Sequence, residues 1–263
     1  MLNSPEVEFM KIAQFSDTHM LAPAADHNAT QLRADWLRET VADINGQRPD
    51  AVIFTGDTTQ TGHPEEYAIL FEILATLNAP LYVIPGNRDD SAALRRACGD
   101  REHLRQSDKY FHYVVEDLDV RLIGIDSTDH GERMGVFCSE RQTWLDAVLR
   151  EGRDRPTLLF IHHPPFDVDD HYVGGYRRAD EAVALTDIIG RNSQVKGLLC
   201  GHVHCPVNRE WNGTRVVVTP SIAVDLRKGV DESDAKERPI YMLHEVSGAA
   251  ELTSQLRVVG AEM

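Results

Sequence analysis

Residues 11–19 have the sequence KIAQFSDTH, a short apolar run that ends in a cluster of polar side chains. Two runs of the same kind follow. Residues 51–55 precede Gly56-Asp57, and residues 81–84 precede the motif at 86–89, Gly-Asn-Arg-Asp. Short β-branched apolar runs predict buried strands, so each predicted strand delivers polar residues to the loop at its carboxyl end.

Amphipathic helical patterns lie between these predicted strands. Residues 31–45 and 65–77 place apolar side chains every three or four positions, as a helix with one face on a core requires. The order strand, helix, strand, helix, strand predicts a mostly parallel sheet with helices packed against it.

The second half of the sequence is richer in strands. Strands are predicted at 110–115 and 120–125, which form a hairpin, and at 157–161, 196–200, 214–219, 240–246 and 254–259. Helices are predicted over 180–191 and from Ser139, where Ser139 and Gln142 have capping-box spacing. This set of elements predicts an α/β protein in which two mixed sheets pack together and are flanked by helices.

The sequence contains no repeat, low-complexity tract or long linker. We therefore expect one domain over 1–263, with its catalytic core at about 11–220. The C-terminal part, about 221–263, is predicted to add strands and could serve as an oligomerisation segment, as an interface or an edge.

Composition excludes several classes of function. The 263 residues contain 27 Lys+Arg and 42 Asp+Glu, a net charge of −15, which argues against a nucleic-acid polymer as partner. No window approaches the roughly 18 apolar residues of a membrane span, and the first residues lack a signal-peptide pattern. The four cysteines form no CxxC pair, and the spacing of Cys200 and Cys205 fits no closed zinc motif. We expect a cytoplasmic protein with reduced thiols and no membrane partner.

Five polar clusters follow predicted strands, and the carboxyl ends of strands in an open α/β sheet converge on one crevice. The oxygen and nitrogen donors in these clusters are Asp17, His19, Asp57, Asn87, His162, His202 and His204. Singly, each residue has a structural explanation, such as a turn or a hydrogen-bonded core histidine. Jointly, they are too many for one tetrahedral zinc ion, and burying them without cations would carry a large desolvation cost. The count fits two divalent ions that share a carboxylate.

Two cations roughly 3.5–4 Å apart can clamp a phosphoryl group and lower the pKa of a shared water, whose hydroxide then attacks phosphorus in line. Imidazole and carboxylate ligands suit manganese, iron or zinc. The cations also set the field in the crevice, so an acidic outer surface does not exclude an anionic substrate.

The order and spacing of these motifs over about 11–220 resemble the calcineurin-like binuclear metallophosphoesterases. The motifs FSDTH at 15–19, HHPP at 162–165 and GHVH at 201–204 are typical of the bacterial class III cyclic nucleotide phosphodiesterases and their glycerophosphodiesterase relatives. The resemblance implies a four-layer αββα sandwich, the metallo-dependent phosphatase fold. It also implies a metal-dependent phosphodiesterase that acts on small soluble diesters, and a homodimer or higher homo-oligomer.

The resemblance further implies how the metal ligands are divided. Asp17, His19 and His204 would hold the first ion, Asn87, His162 and His202 the second, and Asp57 would bridge both.

One position departs from the family pattern. Most of these phosphodiesterases have histidine where this chain has Arg88, and arginine cannot protonate a leaving group because its pKa exceeds about 12. We expect Arg88 to contact non-bridging phosphate oxygens, with Asp89 orienting its guanidinium and water protonating the leaving group.

Three further residues are candidates for substrate binding: His163, His171 and Arg177. His63 could also line the pocket, although helix initiation before Pro64 explains it equally well. The alternatives that stay open are a phosphomonoesterase, a nucleotide-sugar pyrophosphatase of the same superfamily, and a weakly active nucleotide-binding regulator. Arginine in this motif resembles the UDP-diacylglucosamine pyrophosphatases, but the interval from Asn87 to His162 is longer than in that family, and no apolar helical insert is present.

Overall fold

Strands and helices alternate along the first part of the chain, as the hydrophobic pattern requires. A computed structural model describes residues 9–129, 131–168, 175–230, 235–247 and 251–261. Its first elements are β1 (Met10–Phe15), α1 (His27–Gln47), β2 (Ala51–Phe54), α2 (Pro64–Leu74), β3 (Leu81–Val83) and α3 (Ser91–Cys98).

Strands dominate the remainder. The further elements are β4 (Tyr113–Val115), β5 (Arg121–Ile125), α4 (Ser139–Glu151), β6 (Thr157–Ile161), α5 (Ala179–Gly190), β7 (Val195–Cys200), β8 (Val207–Trp211), β9 (Thr214–Val218), β10 (Ile240–Val246) and β11 (Leu252–Val258). Among the described residues, every helix is too short or too polar to traverse a lipid bilayer.

The strands form two mixed sheets. The first has the order β11-β10-β1-β2-β3, in which β1, β2 and β3 are parallel and β10 is antiparallel to β1. The second has the order β4-β5-β6-β7-β9-β8, with parallel strands from β5 to β9 and antiparallel strands at both edges. The carboxyl ends of β1, β2, β6 and β7 are the places where the polar motifs begin.

Strand alternation divides the core into two layers of side chains. On β5, Leu122 belongs to the cluster that also contains residues of the first sheet and of α1 to α3, whereas Ile123 belongs to the cluster formed with α4 and α5. The order of layers is therefore helices, sheet, sheet, helices. This arrangement confirms the predicted four-layer α/β sandwich.

Some local predictions are confirmed and others are wrong. The hairpin of β4 and β5 is present, and His63 is the N-cap of α2, where its ring accepts from Glu65 N and Glu66 completes a capping box. The capping box predicted at Ser139 is absent, because Cys138 is the N-cap and the Gln142 side chain donates to the Phe137 carbonyl instead. α3 and β8 were not predicted.

A buried chain of polar side chains joins the two sheets beneath the strand ends. Gln14 on β1 donates to the Cys200 carbonyl on β7 at 3.0 Å and to Thr55 Oγ1 at 3.2 Å. Its Oε1 accepts from His244 Nε2 at 3.0 Å, and His244 Nδ1 lies 2.8 Å from Ser254 Oγ. Burial lowers the pKa of His244 to about 3, so its ring is neutral and can serve as both donor and acceptor.

Replacement of Gln14 by leucine should lower the free energy of unfolding by at least about 2 kcal/mol, because it leaves several buried polar groups without partners. Urea denaturation measures this change. The exposed Gln255 on β11 offers a matched control, since Gln255→Leu should change stability by less than about 0.5 kcal/mol. Equal effects of the two substitutions would contradict the importance of the buried chain.

Glycines allow the strand ends to approach one another. A Cβ at Gly86 would overlap the backbone nitrogen and Oδ1 of Asp57, and a Cβ at Gly56 would lie 2.6 Å from Gly86 N and 2.7 Å from His162 Nδ1. These positions therefore require glycine for packing, and Gly56 also has a positive φ of 91°.

Gly86→Ala should destabilise the fold by about 1–3 kcal/mol, because the added methyl group forces the two loops apart. The control is Gly46→Ala in α1, where no atom lies within 4 Å of the new Cβ. That change should stabilise the protein by about 0.5–1 kcal/mol. Thermal and urea unfolding of the two variants will show the opposite signs, and a neutral Gly86→Ala variant would disprove the tight approach.

Candidate active site

The backbone after the strand ends has strained, positive φ angles at several non-glycine residues. Seven non-glycine residues among those described have positive φ, and five of them are predicted metal ligands. The five are Asp17 (57°), His19 (45°), Asp57 (47°), His202 (71°) and His204 (63°). Left-handed backbone disfavours ordinary side chains and clusters at active sites, so this concentration independently marks the strand ends as a site.

Four of the predicted ligands surround one point. The ligand atoms of Asp17, His19, Asp57 and His204 all lie within 4.8 Å of one another. His204 Nε2 is 3.3 Å from Asp17 Oδ1 and 3.1 Å from His19 Nε2, and His19 Nε2 is 3.5 Å from Asp57 Oδ2. This is the set that the resemblance assigned to the first ion, together with the predicted bridging carboxylate.

The other predicted ligands adjoin this group through Asp57. His162 Nε2 lies 3.5 Å from Asp57 Oδ1 and 3.3 Å from Asn87 Oδ1. The ring of His202 lies 4.9 Å from the ring of His162, and its backbone nitrogen donates to Asp17 Oδ2 at 3.0 Å. The fold thus brings all seven predicted ligands into one cluster, with the two carboxylate oxygens of Asp57 facing its two halves.

Three imidazoles in the cluster are oriented by hydrogen bonds at Nδ1. His162 Nδ1 lies 2.6 Å from the Thr55 carbonyl, His204 Nδ1 lies 3.1 Å from the Leu226 carbonyl, and His19 Nδ1 lies 3.0 Å from Gln60 Oε1. Each partner is an acceptor, so Nδ1 carries the proton and Nε2 presents its lone pair to the cluster. This tautomer is the one that metal-binding histidines require.

The carboxylates have opposite pKa shifts. Burial raises the pKa of Asp57 to about 7. Burial also acts to raise the pKa of Asp17, but the neighbouring imidazoles, His204 foremost, outweigh it and lower the pKa to about 2. Burial lowers the pKa of His19 to about 3, which keeps its imidazole neutral.

The donor set fits divalent cations. Asp17 Oδ1 is a buried oxygen without a hydrogen-bond partner among the described residues. Asp17 and Asp57 are two buried carboxylates in one cluster, and a cation would balance their negative charge. The residues present therefore fit the implied pair of metal ions.

Asp89 has a different role from the predicted one. Its carboxylate accepts hydrogen bonds from the backbone nitrogens of Gly86, Thr58 and Thr59, from both threonine hydroxyls, and from Tyr67 OH. It therefore ties the loop after β2 to the loop after β3, and the prediction that it orients the Arg88 guanidinium is wrong.

Arg88 is exposed, and its backbone nitrogen donates to Asp57 Oδ1 at 2.8 Å. Within the described ranges, its guanidinium makes no ion pair. The Arg88 side chain is therefore available to a ligand beside Asn87.

The other predicted substrate contacts are placed less favourably. His163 is fully buried, with Nδ1 2.8 Å from Ser127 Oγ and Nε2 3.1 Å from the Arg133 carbonyl, so both ring nitrogens are engaged by the protein. This geometry favours a positioning role over the predicted contact with substrate. Arg177 is exposed and pairs with Glu132 at 3.3 Å. His171 lies outside the described residues.

Sequence reasoning missed the residues that hold the ligands. The carbonyl oxygens of Thr55 and Leu226 could not be identified, because any residue supplies a carbonyl. Gln60 follows the second motif by three positions, which was the only available signal, and Arg33 on α1 gave none. These residues are identified only once the fold is known.

Comparison with known proteins agrees with this geometry. A family model described as "Calcineurin-like phosphoesterase" matches residues 10–206. An Arcobacter nitrofigilis protein named "Probable glycerophosphodiester phosphodiesterase GpdQ" is 33% identical over 258 residues, which cover 95% of this chain and 94% of that protein. The "3',5'-cyclic adenosine monophosphate phosphodiesterase CpdA" of Escherichia coli strain K12 is 30% identical over 228 residues, covering 83% of this chain and 78% of that protein.

A solved structure shares the fold. The dimetal phosphatase from Danio rerio matches with a TM-score of 0.67 and 14% sequence identity, covering 93% of this chain and 98% of that chain. With a family model over most of its length and relatives at 30% identity or more, the chain belongs to the calcineurin-like phosphoesterase family.

Proposed function

We propose that this chain is a metal-dependent phosphodiesterase that hydrolyses small soluble diesters. The convergence of six oxygen and nitrogen donor residues on the two sides of Asp57 is the observation that carries the proposal. Relatives named for a glycerophosphodiester and for cyclic AMP favour a diester of one of these kinds as substrate.

The residues divide into two ligand sets. Asp17, His19 and His204 would hold one cation, Asn87, His162 and His202 the other, and Asp57 would bridge them. Imidazole, carboxylate and amide donors suit manganese, iron or zinc. When bound, the pair of cations supplies an activated water and neutralises charge on the phosphoryl oxygens.

The chain's own groups orient and complete this centre. Asp89 fixes the loops that present Asp57 and Asn87 by accepting from their backbone and from neighbouring hydroxyls. The exposed Arg88 guanidinium would bind non-bridging oxygens of the diester in a bidentate manner. Because arginine keeps its proton, the departing alcohol takes its proton from solvent.

We infer that the enzyme acts as one catalytic domain in the cytoplasm and assembles as a homodimer or higher homo-oligomer through its C-terminal part. The comparisons support the activity, and the net charge of −15 is consistent with a small-molecule substrate and not with a nucleic-acid polymer.

Purified protein in manganese buffer should hydrolyse bis(aryl) phosphodiesters faster than aryl phosphomonoesters. Asp57→Asn should reduce this rate to near background, because it removes the shared carboxylate. The control is Asp154→Asn, which should leave the rate unaltered. Asp154 is exposed and precedes β6, whereas His162 follows the other end of that strand. A preference for monoesters would favour a phosphatase, and absence of turnover would favour a nucleotide-binding regulator.

Arg88→His should change the dependence on the leaving group. A histidine there can donate a proton, so kcat/KM for an alkyl leaving group should rise by about tenfold or more relative to an aryl leaving group. The pH–rate profile should also show one more ionisation. The rate should fall as the introduced imidazolium loses the proton that it donates to the leaving group. The control is Arg96→His, which makes the same change at an exposed arginine of α3. An unchanged ratio and profile would exclude the proposed role of Arg88.

A further inference from the structure

A segment near the C-terminus crosses the first ligand set. Residues 221–228, which we call the strap, follow β9 and include a short turn at Val224–Leu226. The family model ends at residue 206, so the strap lies beyond the matched region. Ile222 and Ala223, before the turn, are buried, whereas none of the three residues in the turn itself is buried.

The strap is attached through polar contacts to two ligand loops. At its start, Ser221 Oγ donates to the Asp17 carbonyl at 2.7 Å. Further along, the Leu226 carbonyl accepts from His204 Nδ1 at 3.1 Å, and Lys228 N donates to the His204 carbonyl at 2.9 Å. The strap thus holds both ends of the His204 residue, its backbone oxygen and its ring.

The buried guanidinium of Arg33 connects the strap to His19, the remaining residue of the first ligand set. Arg33 on α1 is 8% exposed; its Nη1 donates to the His19 carbonyl at 2.6 Å and its Nη2 to Asp225 Oδ2 at 2.8 Å. Asp225 is the strap's only carboxylate, so this ion pair fixes the turn whose next residue, Leu226, orients His204. One planar side chain therefore sets the distance between the loop of His19 and the carbonyl that positions His204.

We infer that the strap retains the cation held by Asp17, His19 and His204, and that the Arg33–Asp225 ion pair fastens the strap. Arg33 and Asp225 are positioning residues in this scheme, since they act through the ligands and not on substrate. The inference rests on the proposed function for the presence of two cations and is independent of which diester is cleaved. Partners of this kind alter metal affinity by about 10- to 100-fold.

Manganese binding tests this inference without reference to activity. Equilibrium dialysis of the full chain should resolve two manganese ions, and Asp225→Asn should raise the dissociation constant of one of them by about 10- to 100-fold. The other ion should keep its affinity. At a manganese concentration that fills both sites of the unmodified protein, the electron paramagnetic resonance spectrum of the variant should shift from a coupled pair toward isolated ions.

A second variant tests whether Arg33 acts through the same contact. Arg33→Lys retains the positive charge, but a single ammonium cannot reproduce the fork that reaches both acceptors. It should weaken the same manganese ion. The two substitutions together should weaken that ion by less than the product of their separate effects, because both break one link.

The ion pair between Asp43 and Arg257 provides the matched control. This ion pair also joins α1 to the C-terminal part of the chain, and Arg257 Nε lies 3.0 Å from Asp43 Oδ1. Arg257 is on β11, however, and not in the strap. Asp43→Asn should lower the melting temperature and leave both manganese affinities unchanged.

Three results would overturn the inference: unchanged manganese binding by Asp225→Asn, equal weakening of both ions, or the same weakening by Asp43→Asn. Failure of the unmodified protein to bind manganese, iron or zinc would instead contradict the proposed function, on which the strap's role depends.

Discussion

Burial of two carboxylates among imidazoles is the constraint on which the site depends. Asp17 and Asp57 lie where the two sheets meet, and the loops that carry them are held together by backbone hydrogen bonds from Asp17 N to the Gly56 carbonyl and from His19 N to the Asp57 carbonyl, each 3.0 Å long. Left-handed backbone at a non-glycine residue costs about 1–3 kcal/mol, so the surrounding hydrogen bonds must hold these loops in place. Cation binding to the folded state alone would stabilise the same arrangement by linkage.

The number of donors around each carboxylate separates structural from chemical roles. Asp89 accepts from six groups and has no capacity left for a ligand, so it acts as a clamp between loops. Asp57 accepts one hydrogen bond, from Arg88 N, and Asp17 accepts one, from His202 N. The two carboxylates with spare oxygen lone pairs are those that face the imidazoles, so they are the ones able to bind cations.

Much of the fold was predictable because periodic apolar patterns require it. The runs that became β1, β2, β6 and β7 are mostly apolar and mostly buried, as strands covered on both faces must be. β8 was missed because its residues are mostly exposed and lack that pattern, and α3 because it has only eight residues. The start of α1 was predicted four residues late, since its N-cap, Asp26, was not recognised.

The ligand cluster was predictable for a related reason: parallel strands carry the residues after their carboxyl ends to the same edge. The roles of its neighbours were not. Asp89 and His163 look reactive in sequence, but backbone and hydroxyl groups from distant segments saturate them in the fold. Arg33 looks like an ordinary surface position on a helix, and only the tertiary structure places its guanidinium against the His19 carbonyl.

The position of β10 has a consequence for the order of assembly during synthesis. β10 lies inside the first sheet, between β11 and β1, so that Met10 is paired with Val246. While the chain is still on the ribosome, β1 lacks this neighbour until Val246 has emerged, and contacts between such distant residues form slowly. The sheet that carries Asp17 and His19 is completed last, although those residues are made first. A nascent chain released early would therefore expose the unpaired edge of β1, where another strand could pair.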